Sequence, residues 1–153
     1  MNKNYKFKNK YEERLYNEWK QHGKICIAID FDDTIYPWKL RHENDIKSFE
    51  ELISLLQVAR ETGAYLTIFS ACASDRYGEI QEYCNKHKLP IDSINKNPID
   101  LPYGNNGKVY ANIYLDDRAG LLEAIDMLES VMYKIRGEKA KNLTIGEEGP
   151  YTT

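Results

Sequence analysis

The sequence predicts an α/β domain built on a parallel, Rossmann-like sheet. Short apolar runs alternate along the chain with longer segments whose apolar residues recur at helical spacing, the strand and helix order of parallel sheets. The first run, at 24–30, is almost continuously apolar and bounded by charges, which is typical of a strand covered on both faces. We expect a strand order of about 3-2-1-4 with helices on both faces.

The chain begins with a predicted helix over 10–22. Tyr11, Leu15 and Trp19 are spaced four residues apart and form one apolar stripe, and Gly23 ends the helix. The predicted first strand follows directly.

A loop is expected over 31–44, which is rich in Asp, aromatic and charged residues. The second helix then begins at a cap formed by Asp45 or by the Ser48/Glu51 pair, and Gly63 closes it. Its apolar face consists of Ile46, Phe49, Leu52, Ile53, Leu56 and Ala59.

The rest of the chain supplies three more strands and two helices. In order, these are a strand at 65–69, a helix at about 74–88, a short strand at 91–94, a loop at 95–107, a strand at 110–115 and a last helix. The apolar face of the last helix consists of Leu121, Ile125, Leu128, Met132 and Ile135.

Composition excludes several classes of protein. At 153 residues, 42% hydrophobic and 29% charged, the chain suits one globular domain and not a collagen-like, coiled-coil or wholly disordered one. No apolar stretch is long enough to cross a membrane, and the Lys-rich start lacks the apolar segment of a secretory signal. Three cysteines, an odd number without metal-ligand spacing, favour a reducing, cytoplasmic location.

Charge is distributed unevenly along the chain. Residues 1–24 hold seven Lys or Arg and three Glu, a net charge of +4, whereas the remainder has a net charge of −7. A basic arm could contact nucleic acid or a membrane surface, but a solvated first helix is the interpretation we prefer, and we expect no membrane partner. We divide the chain into a basic helix or arm that packs on the domain (1–23), the α/β domain (24–137) and a loose C-terminal tail (138–153).

Polar residues that can do chemistry cluster where predicted strands end. Because ligands of open α/β sheets bind at the carboxyl ends of the strands, residues at these positions are candidates for one site. They are Asp30, Asp32 and Asp33 after the first strand, Ser70 after the second, Lys108 before the fourth, and Asp116 and Asp117 after it.

This set of side chains suits phosphoryl chemistry. Several neighbouring carboxylates repel one another unless a cation neutralises them, and oxygen-only ligands select a hard ion such as Mg²⁺. A hydroxyl and an ammonium beside Mg²⁺ can hold a phosphoryl group. One Asp can then attack phosphorus while a second, two residues further on, transfers the proton.

The motifs resemble those of the haloacid dehalogenase (HAD) superfamily over about residues 24–128. The segment 25–35, ICIAIDFDDTI, resembles the first motif, an apolar strand followed by Asp-x-Asp-x-Thr. The segments 66–70 (LTIFS) and 113–117 (IYLDD) resemble the second and fourth motifs, and Lys108 is a candidate for the third. The resemblance implies a HAD-like catalytic domain over 24–137, and the short spacing between motifs leaves no room for a large cap domain.

The resemblance implies a role for each matched residue. Asp30 would be the nucleophile that forms an aspartyl-phosphate, and Asp32 the general acid and base, which favours a phosphatase. Thr34 would steady the loop and, with Ser70 and Lys108, contact the phosphate, while Lys108 would also offset the charge of Asp30. Mg²⁺ would be held by Asp30, the backbone carbonyl of Asp32 and Asp116, with Asp117 as a ligand either directly or through water.

Alternatives remain open for several of these residues. Lys96 competes with Lys108 as the lysine of the third motif. Asp117 could instead cap the last helix. Ser70 could cap a turn, and Asp33 is expected to be a solvated turn residue.

The substrate and partners are less constrained by the sequence. A flap at 36–42 is the only predicted lid, and its Trp38, Arg41 and His42 could stack on a base or grip a phosphate, or pack on the next helix. An open site suits a phosphorylated small molecule, a polymer end such as a nucleic acid, or a cap supplied by a second subunit of a homo-oligomer.

A catalytically weak HAD-like domain that acts as a binding or regulatory module is the alternative function. A receiver-type switch fits less well, because Lys108 precedes the second acidic pair.

Overall fold

The structure, a computed structural model, describes residues 7–97 and 109–148, with side chains as far as residue 142 in the last helix. Its elements are α1 (Lys10–His22), β1 (Ile25–Ile29), α2 (Glu43–Glu61), β2 (Ala64–Ile68), a 3-10 turn (Ser74–Arg76), α3 (Tyr77–Lys86), β3 (Ser93–Ile94), β4 (Ile113–Leu115) and α4 (Leu121–Glu148). The predicted order of helices and strands is confirmed. β1, β3 and β4 are shorter than expected, and β2 has the expected length but begins one residue earlier. The helix expected at 74–88 divides into the 3-10 turn and α3.

The four strands form one parallel sheet with the predicted order β3-β2-β1-β4. β1 is fully buried between its two neighbours, and its last residue, Ile29, pairs with Ile68 of β2 and Leu115 of β4. The carboxyl ends of these three strands are therefore level with one another, and the residues that follow them face the same edge of the sheet.

The main hydrophobic core lies on the face that carries Ile25, Ile27 and Ile29. Apolar side chains of all four helices join these residues in one cluster, in which Trp19 of α1 and Leu56 of α2 are fully buried. The opposite face carries a smaller cluster around Cys26, Ala28 and Ala111, to which none of the described helices contributes. Within residues 7–97 and 109–148, the prediction of helices on both faces is confirmed for one face only.

The ends of α1 and α2 follow from local polar contacts. Asn9 accepts hydrogen bonds from two backbone N–H groups in the first turn of α1, and Gly23 ends that helix with a left-handed φ of 72°, as predicted. The cap proposed for α2 was wrong. That helix begins earlier, at Glu43, and the Asp45 carboxylate accepts a hydrogen bond from the backbone N–H of His42 at 3.1 Å. Ser48 donates to the carbonyl of Asn44 and takes no part in capping.

The prediction of a loose tail at 138–153 was wrong for its described part, because α4 continues to Glu148. Glu138 accepts hydrogen bonds from Tyr16 and Lys20 of α1, and the Lys139 ammonium donates to the carbonyl of Thr62 at 2.8 Å. These polar contacts fix α4 against α1 and the end of α2 beyond the last apolar anchor. Among the described residues, no helix combines the length and apolarity that crossing a bilayer requires.

Candidate functional site

Three carboxylates meet where β1 and β4 end. Asp30 follows β1 directly, and its backbone N–H donates to the carbonyl of Leu115 at 2.8 Å, which ties it to β4. Asp116 and Asp117 follow β4. One carboxylate oxygen of each of the three lies within 4.8 Å of the other two, and all three side chains are partly exposed. We call Asp30, Asp116 and Asp117 the carboxylate cluster. The structure thus brings together three of the four predicted metal ligands.

Thr34 links two members of the carboxylate cluster. Its Oγ1 lies 3.0 Å from Oδ2 of Asp30 and 3.3 Å from Oδ1 of Asp117, and it accepts the backbone N–H of Asp117 at 3.1 Å. Because a hydroxyl has one proton, it donates to one carboxylate at a time. The side chain is buried, so Thr34 braces the two acids, a role that differs from the expected one of steadying the loop after the first strand. Its contact with phosphate stays a prediction.

The electrostatics of the carboxylate cluster favour a bound cation. Burial, the hydrogen bond to Asp117 and the charges of Asp116 and Asp117 raise the pKa of Asp30 from 3.8 to about 7, and only the Thr34 hydroxyl works in the opposite direction. A cation among the three carboxylates would relieve this repulsion. The donors are all oxygens, the ligands that Mg²⁺ prefers, so the residues fit the predicted ion.

Asp32 lies outside the carboxylate cluster and forms an ion pair. Both of its carboxylate oxygens accept hydrogen bonds from the Arg76 guanidinium, at 2.8 and 3.1 Å. Arg76 belongs to the 3-10 turn after β2, and it also donates to Glu79. Asp30 and Asp32 line the same cavity, as the spacing of two residues predicted. The pairing of Asp32 with Arg76 was not predicted.

Ser70 is held in place by a residue that the sequence analysis missed. The backbone N–H of Ser70 donates to the side-chain oxygen of Asn95 at 2.8 Å, and the amide of Asn95 donates to the Tyr77 hydroxyl at 2.9 Å. Asn95 has a left-handed φ of 53°, and its N–H donates to Ile68. The Ser70 side chain accepts from the N–H of Cys72 at 3.3 Å. An Asn directly after a predicted strand was the available signal, since Asn tolerates this conformation.

Asp33 organises the flap. One of its carboxylate oxygens accepts the backbone N–H groups of Trp38, Lys39 and Leu40, at 3.0, 2.8 and 2.9 Å. Partial burial works against ionisation, but these three donors prevail and lower the pKa of Asp33 below its usual value. Asp33 is a partly exposed turn residue, as expected, and it has a further role that was not predicted: it fixes the shape of the loop between β1 and α2.

The flap and the strand ends line an open cavity of about 770 Å³, a size typical of small-molecule sites. Acidic and cationic side chains both line it, the cationic ones being Lys39, Arg76 and Arg118. Trp38 also lines it and is 46% exposed. The other two flap residues proposed as ligand contacts are used elsewhere: Arg41 donates to the Trp38 carbonyl and His42 precedes α2.

The alternatives left open by the sequence are resolved in part. Asp117 does not cap the last helix, since α4 begins at Leu121, and its side chain lies in the carboxylate cluster instead. Lys96 is exposed and does not line the cavity, and its carbonyl accepts from Thr67 and Ser93. Lys108 lies outside the described residues, so its role stays a prediction.

Comparison with known proteins assigns no function. No family model matches the chain, and no curated protein matches it. Among solved structures, it is similar to a conserved protein of Bacteroides thetaiotaomicron, with 22% sequence identity and a TM-score of 0.49. That similarity covers 62% of this chain and 77% of the other.

Proposed function

We propose that the protein is a Mg²⁺-dependent phosphomonoester hydrolase that works through an aspartyl-phosphate on Asp30. The carboxylate cluster carries the proposal: Asp30 lies with Asp116 and Asp117 at the carboxyl end of a parallel sheet, where oxygen ligands for one hard cation converge. Asp32 and Ser70 line the same cavity, so a proton donor and a hydroxyl lie beside the proposed nucleophile.

Two steps complete the proposed reaction. In the first, a carboxylate oxygen of Asp30 forms a bond to phosphorus, the bond to the leaving oxygen breaks, and Asp32 gives that oxygen a proton. In the second, Asp32 takes a proton from water as the water oxygen bonds to phosphorus. The bond to Asp30 then breaks, inorganic phosphate leaves, and both acids return to their starting states.

The other residues position these groups. When bound, Mg²⁺ would offset the charges of the carboxylates and of the phosphoryl oxygens, and Asp30, Asp116 and Asp117 would hold it with the backbone carbonyl of Asp32. Thr34 keeps Asp30 and Asp117 in fixed relative positions, and Asn95 fixes the backbone at Ser70. Lys108 is proposed to hold a phosphoryl oxygen.

A binding or regulatory module is the second candidate, and the Asp32–Arg76 pair favours it. A carboxylate whose two oxygens both accept from a guanidinium carries no proton to donate. A domain held in this state could bind a phosphorylated ligand without hydrolysing it.

Turnover separates the two candidates. We expect purified protein to hydrolyse an aryl phosphate with Mg²⁺, to lose this activity with EDTA, and to lose it in Asp30→Asn. Asp126→Asn, an exposed acid on α4, is the matched control and should leave the activity unchanged. No turnover on a broad phosphomonoester panel would favour the binding module. That panel should include mononucleotides and oligonucleotides phosphorylated at the 3′ or 5′ end, since polymer ends are candidate substrates.

The covalent step has its own test. An aspartyl-phosphate is an acyl phosphate, which hydroxylamine converts into a hydroxamate. Mass spectrometry of protein quenched with hydroxylamine during turnover should find this product on Asp30. Turnover without any modified Asp30 would point to direct attack by water and would contradict the nucleophilic role.

A further inference from the structure

We propose that Arg76 selects substrates whose leaving group carries a second anionic group, a phosphate or a carboxylate, close to the scissile phosphate. The guanidinium would move from Asp32 to this second anion when the substrate binds, and the move would free Asp32 for proton transfer. The inference rests on the proposed function, and it names the chemical class of substrate that the same cavity takes.

The Arg76–Asp32 pair is placed where an anion can replace Asp32. Both side chains line the cavity and remain partly exposed, 21% for Arg76 and 26% for Asp32. Solvent therefore reaches the pair, and an anion that enters the cavity can compete with Asp32 for the guanidinium. An incoming phosphate or carboxylate offers the guanidinium the same two-oxygen geometry that Asp32 offers.

Arg76 has other contacts that can hold it while it changes partner. It donates to both oxygens of Glu79, at 3.4 and 3.3 Å, and its Cζ lies 4.8 Å from the ring centroid of Trp38. These contacts involve α3 and the flap, not Asp32. The guanidinium can thus leave Asp32 for a nearby anion while it keeps its contacts with Glu79 and Trp38.

The cavity offers the second anion further attraction. Lys39 and Arg118 line it together with Arg76, and its volume of about 770 Å³ exceeds what a single phosphoryl group needs. The carboxylate cluster lines the same cavity, so the leaving group of a scissile phosphate held there would share the cavity with these cations. A substrate without a second anion would leave Arg76 on Asp32 and would react slowly.

A second ion pair provides a control. Arg60 of α2 pairs with Asp92, which also accepts the backbone N–H of Leu66, and neither residue lines the cavity. Removal of Arg60 should lower stability without changing substrate preference. Arg76 differs from Arg60 in that its partner is the proposed proton donor.

Kinetics with a matched substrate pair test the proposal. Propane-1,3-diol monophosphate and its bisphosphate differ only in the second phosphate. We expect wild-type kcat/KM to be at least about tenfold higher for the bisphosphate, and Arg76→Ala to remove most of this preference. Because Asp32 is then free, Arg76→Ala should also raise kcat for the monophosphate, and Arg76→Lys should restore part of the preference. Equal losses on both substrates in Arg76→Ala, or the same change in preference in Arg60→Ala, would overturn the proposal.

Fluorescence gives a result that does not depend on turnover. The chain has two tryptophans, and Trp19 is fully buried while Trp38 lies beside the guanidinium. In Asp30→Asn with Mg²⁺, the bisphosphate should change Trp38 emission at least about three times as much as the monophosphate. Trp38→Phe in the same background should abolish the difference. Equal responses to the two probes, or no response to the bisphosphate at millimolar concentration, would overturn the proposal. If Trp38 emission responds selectively to the bisphosphate but the wild type shows no turnover, the proposed anion site is supported and the proposed hydrolase function is contradicted.

Discussion

Replacing Asp30 by Asn should stabilise the metal-free protein, although Asp30 is the proposed nucleophile. Raising the pKa of Asp30 from 3.8 to about 7 means that the folded state resists its ionisation. Such a shift corresponds to about 4 kcal/mol once the group is ionised in both states. The carboxylate cluster is partly exposed, and water screens its charges. We therefore expect the Asn variant to gain about half of this value, about 2 kcal/mol, in its free energy of unfolding.

The sign of this effect fixes its pH dependence. The folded protein binds the Asp30 proton more tightly than the unfolded chain does, so the stability associated with that proton is complete below pH about 4 and is lost as pH rises through about 7. Asn has a similar shape and does not titrate. The two proteins should therefore differ little near pH 4, and the variant should be more stable at pH 8.

The measurement is urea unfolding followed by circular dichroism, with EDTA, at several pH values between 4 and 8. At pH 8 the variant should have the larger free energy of unfolding. In thermal unfolding at the same pH, its Tm should be about 4–8 °C higher than that of the wild type. Added Mg²⁺ should stabilise the wild type more than the variant, because binding to the folded state alone raises its stability. Asp126→Asn is the control and should stay within about 0.5 kcal/mol of the wild type. A wild type that is more stable than Asp30→Asn at pH 8 in EDTA, or a difference that does not vary with pH, would refute the reasoning.

Three further predictions concern the residues that hold the site and the last helix. Thr34→Val removes the hydroxyl between Asp30 and Asp117, so unfolding experiments should show a loss of about 1–3 kcal/mol, while Thr34→Ser should retain most of the stability. Asn95→Ala removes the acceptor of the Ser70 N–H and places Ala at a left-handed φ. The free energy of unfolding should therefore fall by about 1–2 kcal/mol, and KM for an aryl phosphate should rise. An unchanged KM would show that Asn95 does not act on the site. Glu138→Gln weakens contacts with α1 and should lower stability by at most about 1 kcal/mol without changing kcat, whereas a change in kcat would link α4 to the site.

The sheet and the carboxylate cluster could be predicted because they depend on repeating patterns. The strands are short apolar runs, and in a parallel sheet the residues after such runs meet at one edge, which is how Asp30 and Asp116 come together. The face taken by the helices was predicted less well. The order of helices and strands does not determine which face each helix covers, and the described helices join the core on the Ile27 side alone.

The polar contacts that complete the site could not be predicted, because no periodic pattern encodes them. Asp33 resembles any acidic turn residue, and its role depends on the conformation of a flap that brings three N–H groups to one oxygen. The same holds for the extension of α4. Its apolar stripe ends near Ile135, and Glu138 and Lys139 continue the packing through hydrogen bonds whose partners lie far away in the sequence.

The two proposed catalytic acids therefore differ in how the fold holds them. The strand register and the buried Thr34 hydroxyl fix Asp30, which suits a group that must meet phosphorus in one geometry. Asp32 is held by Arg76, whose 3-10 turn lies between β2 and α3 and contributes no fully buried side chain. A partly exposed side chain can change its partner when a ligand binds, whereas the register of a buried sheet cannot change. Under the proposed exchange of Arg76, the fold keeps the proposed nucleophile in place and the availability of the proton donor depends on what binds Arg76.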